Sequence, residues 1–295
     1  MQLDGKRVLI TGAGSGIGRA LAIACAEKGA SLILTGRRRE ALAETAGLLP
    51  ESAKAKIVPV DIATEMGRRA LCVAVDDFGG IDVLVNNAGQ VLVGRVEDYD
   101  DAALESMIRT NVQAPIALAR DLLPALRRSA SPCIVNVGSM FGDIAHPMFA
   151  AYSAAKFALR GFSDALRREL ASEGISVVYV APRGARTPAA GAFEKLVAPF
   201  GMKLDEPEVV AGLIVRAIES DAPAAYAKGP ERFFVLVQRL MPRLIDRELI
   251  ARFAKISGEA GRGGGGAAPP RVRGEPKAPA RPPAGAGPGA SPVWG

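Results

Sequence analysis

Short apolar runs alternate with longer segments of helical periodicity from about residue 4 to about residue 230. Parallel strands need a crossover between them, and that crossover is usually a helix covering one face of the sheet. The alternation therefore predicts an α/β fold with one parallel sheet between two layers of helices. The predicted strands are residues 6–11, 31–35, 56–60, 82–85, 134–138, 175–181 and 224–227, and the predicted helices include residues 20–25, 38–49, 64–78, 99–126, 151–172 and 206–220.

A glycine-rich turn joins the first predicted strand to the first predicted helix. Its sequence, residues 12–18, reads Gly-Ala-Gly-Ser-Gly-Ile-Gly. Glycines let a backbone approach a pyrophosphate closely, and the N–H groups at the start of a helix attract negative charge. The turn therefore predicts a dinucleotide site. The alternative is a tight turn that needs glycine only for its positive φ angles.

Tyr152 and Lys156 are spaced four residues apart in a predicted helix. Residues at this spacing share one helix face, so a phenol and an ammonium group are expected to point into the same space. A neighbouring positive charge favours the phenolate, and we expect it to lower the tyrosine pKa from its ordinary value of about 10. The pair therefore predicts a proton donor and acceptor. The alternative is a helix-face aromatic beside a solvated surface lysine.

Five ordered motifs together resemble those of the short-chain dehydrogenase/reductase family over roughly residues 4 to 230. Thr11 and the glycines at 12, 16 and 18 match its Thr-Gly-x-x-x-Gly-x-Gly pattern. The resemblance implies a doubly wound parallel sheet, a Rossmann fold, with the cofactor across its switch point. The other motifs are Asn86-Asn87-Ala88-Gly89 after the fourth strand, Asn111, Ser139 at the end of the fifth strand, and Tyr152 with Lys156.

The resemblance implies hydride transfer between a nicotinamide and a carbonyl or alcohol carbon. Tyr152 would protonate the carbonyl oxygen in reduction or take the hydroxyl proton in oxidation. Lys156 would lower the pKa of Tyr152 and hold the nicotinamide ribose. Ser139 would hydrogen-bond the same substrate oxygen. Asn111 would bind a water that links Lys156 to solvent, although a helix asparagine alone is usually a kink or a solvated residue.

The resemblance also assigns residues to the cofactor. Asp61, after the third strand, would contact adenine, or it forms a turn before the next helix, or both. Thr187 would contact the carboxamide, although the family's Pro-Gly is replaced by Pro182-Arg183-Gly184. The complete set implied for cofactor binding is Gly12, Ser15, Gly16, Ile17, Gly18, Arg37, Arg38, Asp61, Asn87, Ala88, Gly89, Tyr152, Lys156 and Thr187.

The second strand predicts which dinucleotide is preferred. NAD enzymes place a carboxylate after this strand to accept the ribose 2′-hydroxyl. Here that position is Gly36, followed by Arg37, Arg38 and Arg39. Guanidinium groups match phosphate geometry, so NADP is favoured over NAD. The alternative, arginines that only face solvent, is weakened because a cluster of positive charge at a helix N-terminus opposes the helix dipole.

Bulky apolar residues predict a lipophilic substrate pocket with a mobile lid, although ordinary packing is an equal alternative. We expect a lipophilic ketone, aldehyde or secondary alcohol. A 3-oxoacyl thioester is the rival substrate, and a catalytically silent dinucleotide-binding sensor is a rival function. The residues expected around the pocket are Met140, Phe141, Met148, Phe149, Phe193, Leu196, Phe200 and Met202.

Composition narrows the remaining function classes. Residues 257–295 carry five basic and two acidic residues, half of the net charge of +6, and no basic stripe interleaved with aromatics predicts nucleic-acid binding. The only histidine is His146, so no metal site is expected. Three scattered cysteines indicate a reducing compartment. With no secretory signal or membrane span predicted, we expect a cytoplasmic homodimer or homotetramer.

The C-terminal part departs from the family pattern. We predict a catalytic domain over 1–230, an amphipathic helical extension over 231–256, and a disordered tail rich in Gly, Pro, Ala and Arg over 257–295. Pro242 should kink or split the extension. We expect its apolar positions to share one face that packs on protein, covering the substrate cleft or a subunit interface, and peripheral contact with an anionic bilayer is the alternative left open.

Overall fold

The computed structural model describes residues 1–262, with side chains to residue 256. Strands and helices alternate as the sequence predicts. The strands are β1 (Arg7–Thr11), β2 (Ser31–Gly36), β3 (Ala55–Pro59), β4 (Val83–Asn86), β5 (Cys133–Val137), β6 (Ser176–Ala181), β7 (Gly184–Ala185), β8 (Leu204–Asp205) and β9 (Ala224–Tyr226). The helices are α1 (Gly16–Glu27), α2 (Arg39–Gly47), α3 (Glu65–Asp77), α4 (Asp101–Ile108), α5 (Ala114–Leu126), α6 (Ala150–Glu169), α7 (Glu194–Val197), α8 (Pro207–Ser220), α9 (Glu231–Leu240) and α10 (Pro242–Arg262).

One parallel sheet forms the centre of the molecule, in the order β3-β2-β1-β4-β5-β6-β9. The doubly wound α/β prediction is therefore confirmed. The strand order reverses between β1 and β4, which places the switch point of the sheet between them. Every residue of β4 and β5 is buried because helices cover both faces of the sheet. The carboxyl ends of β1, β4 and β5 therefore open together at one edge.

The helical region predicted over 99–126 is interrupted where the sequence indicates a break. It contains α4 and α5, joined by a π-helical turn over Arg109–Gln113. A π turn adds one residue to a helical turn, and such turns often occur at functional sites. Asn111 lies in this turn and is buried. The local widening thus turns a polar side chain toward the sheet edge.

Asp82, just before β4, forms a partly buried ion pair with Arg7 of β1. Its carboxylate accepts bonds from the Arg7 backbone N–H (2.8 Å), the Arg7 side chain (3.1 and 3.0 Å) and the Ser129 hydroxyl (2.6 Å). Burial acts to raise the pKa of Asp82, but these bonds outweigh it and hold the pKa at about 2. The pair therefore links the amino ends of two neighbouring central strands, β1 and β4.

Asp82→Asn should lower the free energy of unfolding at neutral pH by about 1 to 2 kcal/mol, allowing for the partly exposed Arg7. The folded-state pKa of Asp82 is depressed, so its contribution is present above the ordinary pKa of 3.8 and is lost as the pH falls towards about 2. Urea unfolding at several pH values measures this. The difference in the free energy of unfolding between the unmodified protein and Asp82→Asn should become smaller as the pH falls below about 4.

Asp77→Asn is the matched control, because Asp77 pairs with Lys56 but is 64% exposed. It should change the free energy of unfolding by less than about 0.5 kcal/mol. Equal effects of the two substitutions would contradict a special role for the Arg7–Asp82 pair.

Pro242 splits the C-terminal extension as predicted, with α9 ending at Leu240 and α10 beginning at the proline. Most apolar side chains of α9 are exposed in the single chain and do not pack on its body, while packing of this face against a second subunit stays a prediction. Glu231 and Val235 point at the body of the molecule, where Glu231 bonds to Arg183 at 2.8 Å and Val235 is buried. This anchoring turns the opposite, apolar side of α9 outward.

None of the helices over residues 1–262 is long and apolar enough to cross a membrane. The first residues of the predicted disordered tail, 257–262, form the end of α10. The rest of that tail, 263–295, lies outside the described residues.

Candidate active site

A cleft of about 510 Å³ opens at the carboxyl ends of the central strands, across the switch point. Most residues predicted for the site line it. They are Gly12, Ser15, Gly16, Ile17, Gly18, Arg37, Arg38, Asp61, Asn87, Ala88, Gly89, Ser139, Tyr152, Lys156 and Thr187. The structure thus brings together segments that are far apart in the sequence.

The glycine-rich turn after β1 meets the conditions for a close phosphate contact. Gly12 and Gly16 have positive φ angles of 68° and 53°, which glycine adopts without strain. A Cβ on Gly18 would lie 2.2 Å from the Gly12 carbonyl oxygen, so only glycine fits there. Ser15 precedes α1 but its side chain caps no N–H group. The first N–H groups of α1 therefore remain available at the cleft.

Thr11 fixes the turn that follows β4. Its hydroxyl accepts hydrogen bonds from the backbone N–H groups of Asn87 and Ala88, each at 2.9 Å, and donates to the Val85 carbonyl at 3.2 Å. The Asn87 amide donates to the Thr11 carbonyl at 2.8 Å. This network holds the Asn87–Gly89 segment against the glycine-rich turn, on one wall of the cleft.

Tyr152 and Lys156 lie in the first two turns of α6, as their spacing predicts. The Lys156 ammonium is 5.7 Å from the centre of the Tyr152 ring and donates to the Val137 carbonyl, at the end of β5, at 3.0 Å. Burial lowers the pKa of Lys156 to about 8. The end of β5 and the start of α6 therefore present a tyrosine hydroxyl and an amine to the cleft.

The pKa of Tyr152 moves in the opposite direction from the sequence expectation. Burial raises it to about 12, and a hydrogen bond with Ser139 counteracts this only partly. The physical reason is that burial removes water from around the phenol, which disfavours its charged form. Tyr152 is consequently a protonated phenol at neutral pH.

Ser139 begins the loop after β5 and is held there from two directions. Its hydroxyl accepts from the Phe141 N–H at 3.1 Å. The buried Tyr179 hydroxyl bonds to the Ser139 carbonyl at 3.3 Å, and the Arg160 guanidinium lies 4.7 Å from the Tyr179 ring centre. A chain of side chains from α6 and β6 thus supports the backbone of Ser139.

Asn111 does not line the cleft itself. Its amide oxygen accepts from the Gln90 N–H and its amide nitrogen donates to the Gln90 carbonyl, both at 2.7 Å. These two bonds hold the irregular segment after Gly89 in place. A Cβ on Gly89 would lie 3.3 Å from the Asn111 oxygen and 3.8 Å from the Lys156 nitrogen. The contact seen for Asn111 is therefore with the backbone beside Lys156.

Arg37 and Arg38 are exposed at the far end of the cleft, between β2 and α2. Asp61 lines the same end, and its carboxylate accepts from the Ala63 N–H at 2.9 Å. The helix cap itself is Thr64, which accepts from the Gly67 N–H. Asp61 therefore forms a turn before α3, one of the two roles that the sequence predicts for it, and it also lines the cleft.

The wall beyond Tyr152 is apolar and aromatic. Five of the eight residues predicted for the substrate pocket line the cleft, namely Met140, Phe141, Phe149, Phe193 and Met202. Met148, Leu196 and Phe200 do not line it, which corrects the prediction. Phe200 is instead buried against His146, with ring centres 4.4 Å apart. Burial lowers the pKa of His146, whose Nδ1 is 3.0 Å from the Pro147 carbonyl.

Arg183, between Pro182 and Gly184, contributes to the cleft in a way that the sequence did not predict. Its guanidinium pairs with Asp205 at 3.0 Å and with Glu231 at 2.8 Å, and donates to the Lys228 carbonyl at 3.0 Å. Arg183 and Glu231 both line the cleft. The departure from the family's Pro-Gly is apparent in the sequence, but the sequence does not indicate that Arg183 pairs with Glu231, 48 residues later.

A family model described as short chain dehydrogenase matches residues 6–196. An uncharacterized oxidoreductase of Staphylococcus aureus is 32% identical over 217 residues, which cover 73% of this chain and 92% of the relative. The family match thus spans β1 to β7, which include most of the residues that line the cleft.

Two solved structures illustrate the likeness in three dimensions. The 3-ketoacyl-(acyl-carrier-protein) reductase from Brucella melitensis, complexed with NADH, has a TM-score of 0.69 and 29% identity, covering 76% of this chain and 97% of that one. The Pseudomonas aeruginosa RhlG/NADP active-site complex has a TM-score of 0.69 and 31% identity, covering 76% of this chain and 94% of that one. Similar folds thus hold either dinucleotide.

Proposed function

Because the chain belongs to the short-chain dehydrogenase/reductase family, we propose that it is an NADP-dependent oxidoreductase acting on a lipophilic carbonyl compound or secondary alcohol. The observation that carries this is the meeting of Tyr152, Ser139 and Lys156 in one cleft with the free N–H groups of α1. The aromatic wall beyond Tyr152 supports an apolar substrate.

The residues of the cleft fit a dinucleotide along its length. The N–H groups at the start of α1, with the glycines before them, would hold the pyrophosphate. Asn87, Ala88 and Gly89 would line the adenosine ribose, and Asp61 the adenine. Thr187, whose methyl would meet a Cβ placed on Gly16, closes the cleft over the glycine-rich turn and would contact the carboxamide.

A bound nicotinamide supplies or accepts the hydride. In reduction, Tyr152 donates its proton to the substrate oxygen as the carbonyl carbon is reduced. Burial raises the pKa of Tyr152, so the phenol is protonated at neutral pH and has a proton to donate. Ser139 donates a hydrogen bond to the same oxygen, which stabilises the charge that develops there.

Lys156 would hold the nicotinamide ribose and replace the proton that Tyr152 gives up. Its ammonium is already oriented by the Val137 carbonyl. Asn111, through its two bonds to Gln90, would keep the segment beside Lys156 in place and carry the water that connects it to solvent.

A 3-oxoacyl thioester is the second candidate substrate, and the similarity to the Brucella melitensis reductase favours it. The reaction at the carbonyl is the same, so the two candidates differ only in what lies beyond that carbon. A catalytically silent sensor is disfavoured because Tyr152, Lys156 and Ser139 are all present in the cleft.

Turnover with NADPH tests the proposed function directly. Purified protein should oxidise NADPH, followed by absorbance, when given lipophilic ketones or aldehydes. The matched panel contains 3-oxoacyl thioesters and short polar ketones. Highest efficiency with the thioesters would favour the second candidate. Tight NADPH binding without turnover on any carbonyl would instead indicate a sensor.

We also propose that the protein is a homodimer or homotetramer. Ile116 on α5 and Phe157 on α6 are 40% and 44% exposed, and we propose that a second copy covers them. Light scattering during gel filtration measures the mass. Phe157→Glu should then release monomers, whereas a monomeric unmodified protein would contradict the proposal.

A further inference from the structure

The C-terminal helices present an apolar face away from the body of the protein. We define the α9 face as Phe233, Leu236 and Leu240, which recur at the three- and four-residue spacing of one helix side. Their exposed fractions are 62%, 51% and 69%. Met241 and Leu244, each 51% exposed, extend the face across the turn into α10. Such a contiguous patch is typical of an interaction site.

The opposite side of α9 fixes this orientation. Glu231 and Val235, four residues apart, point inward, and the Glu231 carboxylate is bound by Arg183. α10 is held as well, because the Arg252 side chain donates to the Phe200 carbonyl at 2.5 Å and the Arg95 guanidinium lies 5.5 Å from the Phe253 ring centre. The α9 face is therefore held outward by specific contacts.

Positive charge borders the α9 face. Arg232 and Arg239, seven residues apart, lie along one edge of it, and Arg243 and Arg247 follow on α10. All four are exposed, and Arg239 also lies 3.6 Å from the Asp143 carboxylate. The acidic residue within α9 is Glu231, which is directed at Arg183. The acidic residues that follow on α10 are Asp246 and Glu248, of which Glu248 pairs with Arg252. An apolar helix face edged by arginines matches the pattern of helices that lie on membrane surfaces.

We propose that the α9 face lies on an anionic lipid bilayer, with its apolar side chains at the boundary between headgroups and acyl chains. The arginines would reach the headgroups while their aliphatic stems cover apolar surface. A helix of ten residues is too short to span a bilayer, so it lies on the surface.

A second copy of the chain is a poorer occupant. A two-fold contact would place the same face against itself, and the bordering arginines of both copies would approach one another. Like charges brought together in this way oppose association. Negatively charged headgroups provide the complementary charge. Membrane binding of this kind does not depend on the chemistry proposed for the cleft.

Vesicle flotation of the full-length protein tests the proposal. We expect the protein to float with vesicles of phosphatidylcholine and phosphatidylserine, not with phosphatidylcholine alone, and to be released by salt. Leu236→Glu with Leu240→Glu should abolish flotation. Each of Arg232→Gln and Arg243→Gln should lower the partition coefficient about fivefold.

Met66→Glu with Val73→Glu is the matched control, because these apolar residues on α3 are 80% and 61% exposed. It should float like the unmodified protein. Retained NADPH binding in every variant checks that the fold is intact.

Several outcomes would overturn the proposal. One is that the unmodified protein does not float, or floats equally without phosphatidylserine. Another is that flotation survives Leu236→Glu with Leu240→Glu but is lost on removing residues 257–295, which would assign the contact to the basic tail. A third is an oligomer that dissociates in the Leu236→Glu, Leu240→Glu variant while no form floats, which would make the α9 face an interface between copies.

Discussion

Replacing Tyr152 with phenylalanine should lower turnover by about 10²- to 10⁴-fold, the usual loss when a general acid or base is removed. The change keeps the ring and its edge-on contact with Phe141, whose centre lies 6.3 Å away. It removes only the hydroxyl that would give its proton to the substrate oxygen. The loss should therefore appear in kcat, because the interaction is made in the transition state.

Dinucleotide binding separates a chemical loss from a structural one. NADPH fluorescence should report an affinity within a few-fold of the unmodified protein, since the glycine-rich turn and the Asn87–Gly89 segment are untouched. Tyr99→Phe is the matched control. The Tyr99 hydroxyl accepts a hydrogen bond from the Ala151 N–H at the start of α6, at 3.4 Å. Tyr99 does not line the cleft.

Tyr99→Phe should leave turnover within a few-fold of the original. Near-native turnover of the Tyr152→Phe protein would contradict the role given to this hydroxyl. Equal losses in both variants would show that the start of α6, and no single hydroxyl, limits the reaction.

The sequence predicts the fold and most of the cleft because the relevant signals are local. The glycine-rich turn, the Asn87–Gly89 segment and Ser139 each follow directly on an apolar run. In a parallel sheet, the residues that follow strands on either side of the switch point must meet at one edge. The four-residue spacing of Tyr152 and Lys156 likewise fixes their common helix face before any tertiary contact is known.

The remaining features depend on tertiary contacts. The pKa of Tyr152 rises because the cleft removes water from the phenol, and sequence spacing carries no information about burial. The pairing of Arg183 with Glu231 joins a loop to a distant helix. Amphipathicity also indicates which side of α9 is apolar, but not whether that side meets the protein. The inward anchoring of Glu231 decides that question.

The choice of dinucleotide provides the second large effect, and it depends on Arg37 and Arg38. NADPH should be preferred over NADH, because guanidinium groups at this end of the cleft would bind the 2′-phosphate and no carboxylate follows β2 to accept a 2′-hydroxyl. A hydrogen bond to a charged group contributes about 1.5 to 3 kcal/mol, or about ten- to hundredfold in affinity.

Arg37→Ala with Arg38→Ala should therefore remove most of the preference by weakening NADPH, with kcat/KM for NADH nearly unchanged. The measurement is kcat/KM with each dinucleotide at a fixed substrate concentration. Arg39→Ala is the matched control, because Arg39 carries the same charge one residue further on but does not line the cleft. If Arg39→Ala had the same effect, general positive charge and not a local contact would explain the preference. Equal efficiency of the unmodified protein with NADPH and NADH would show that these arginines only face solvent at the start of α2.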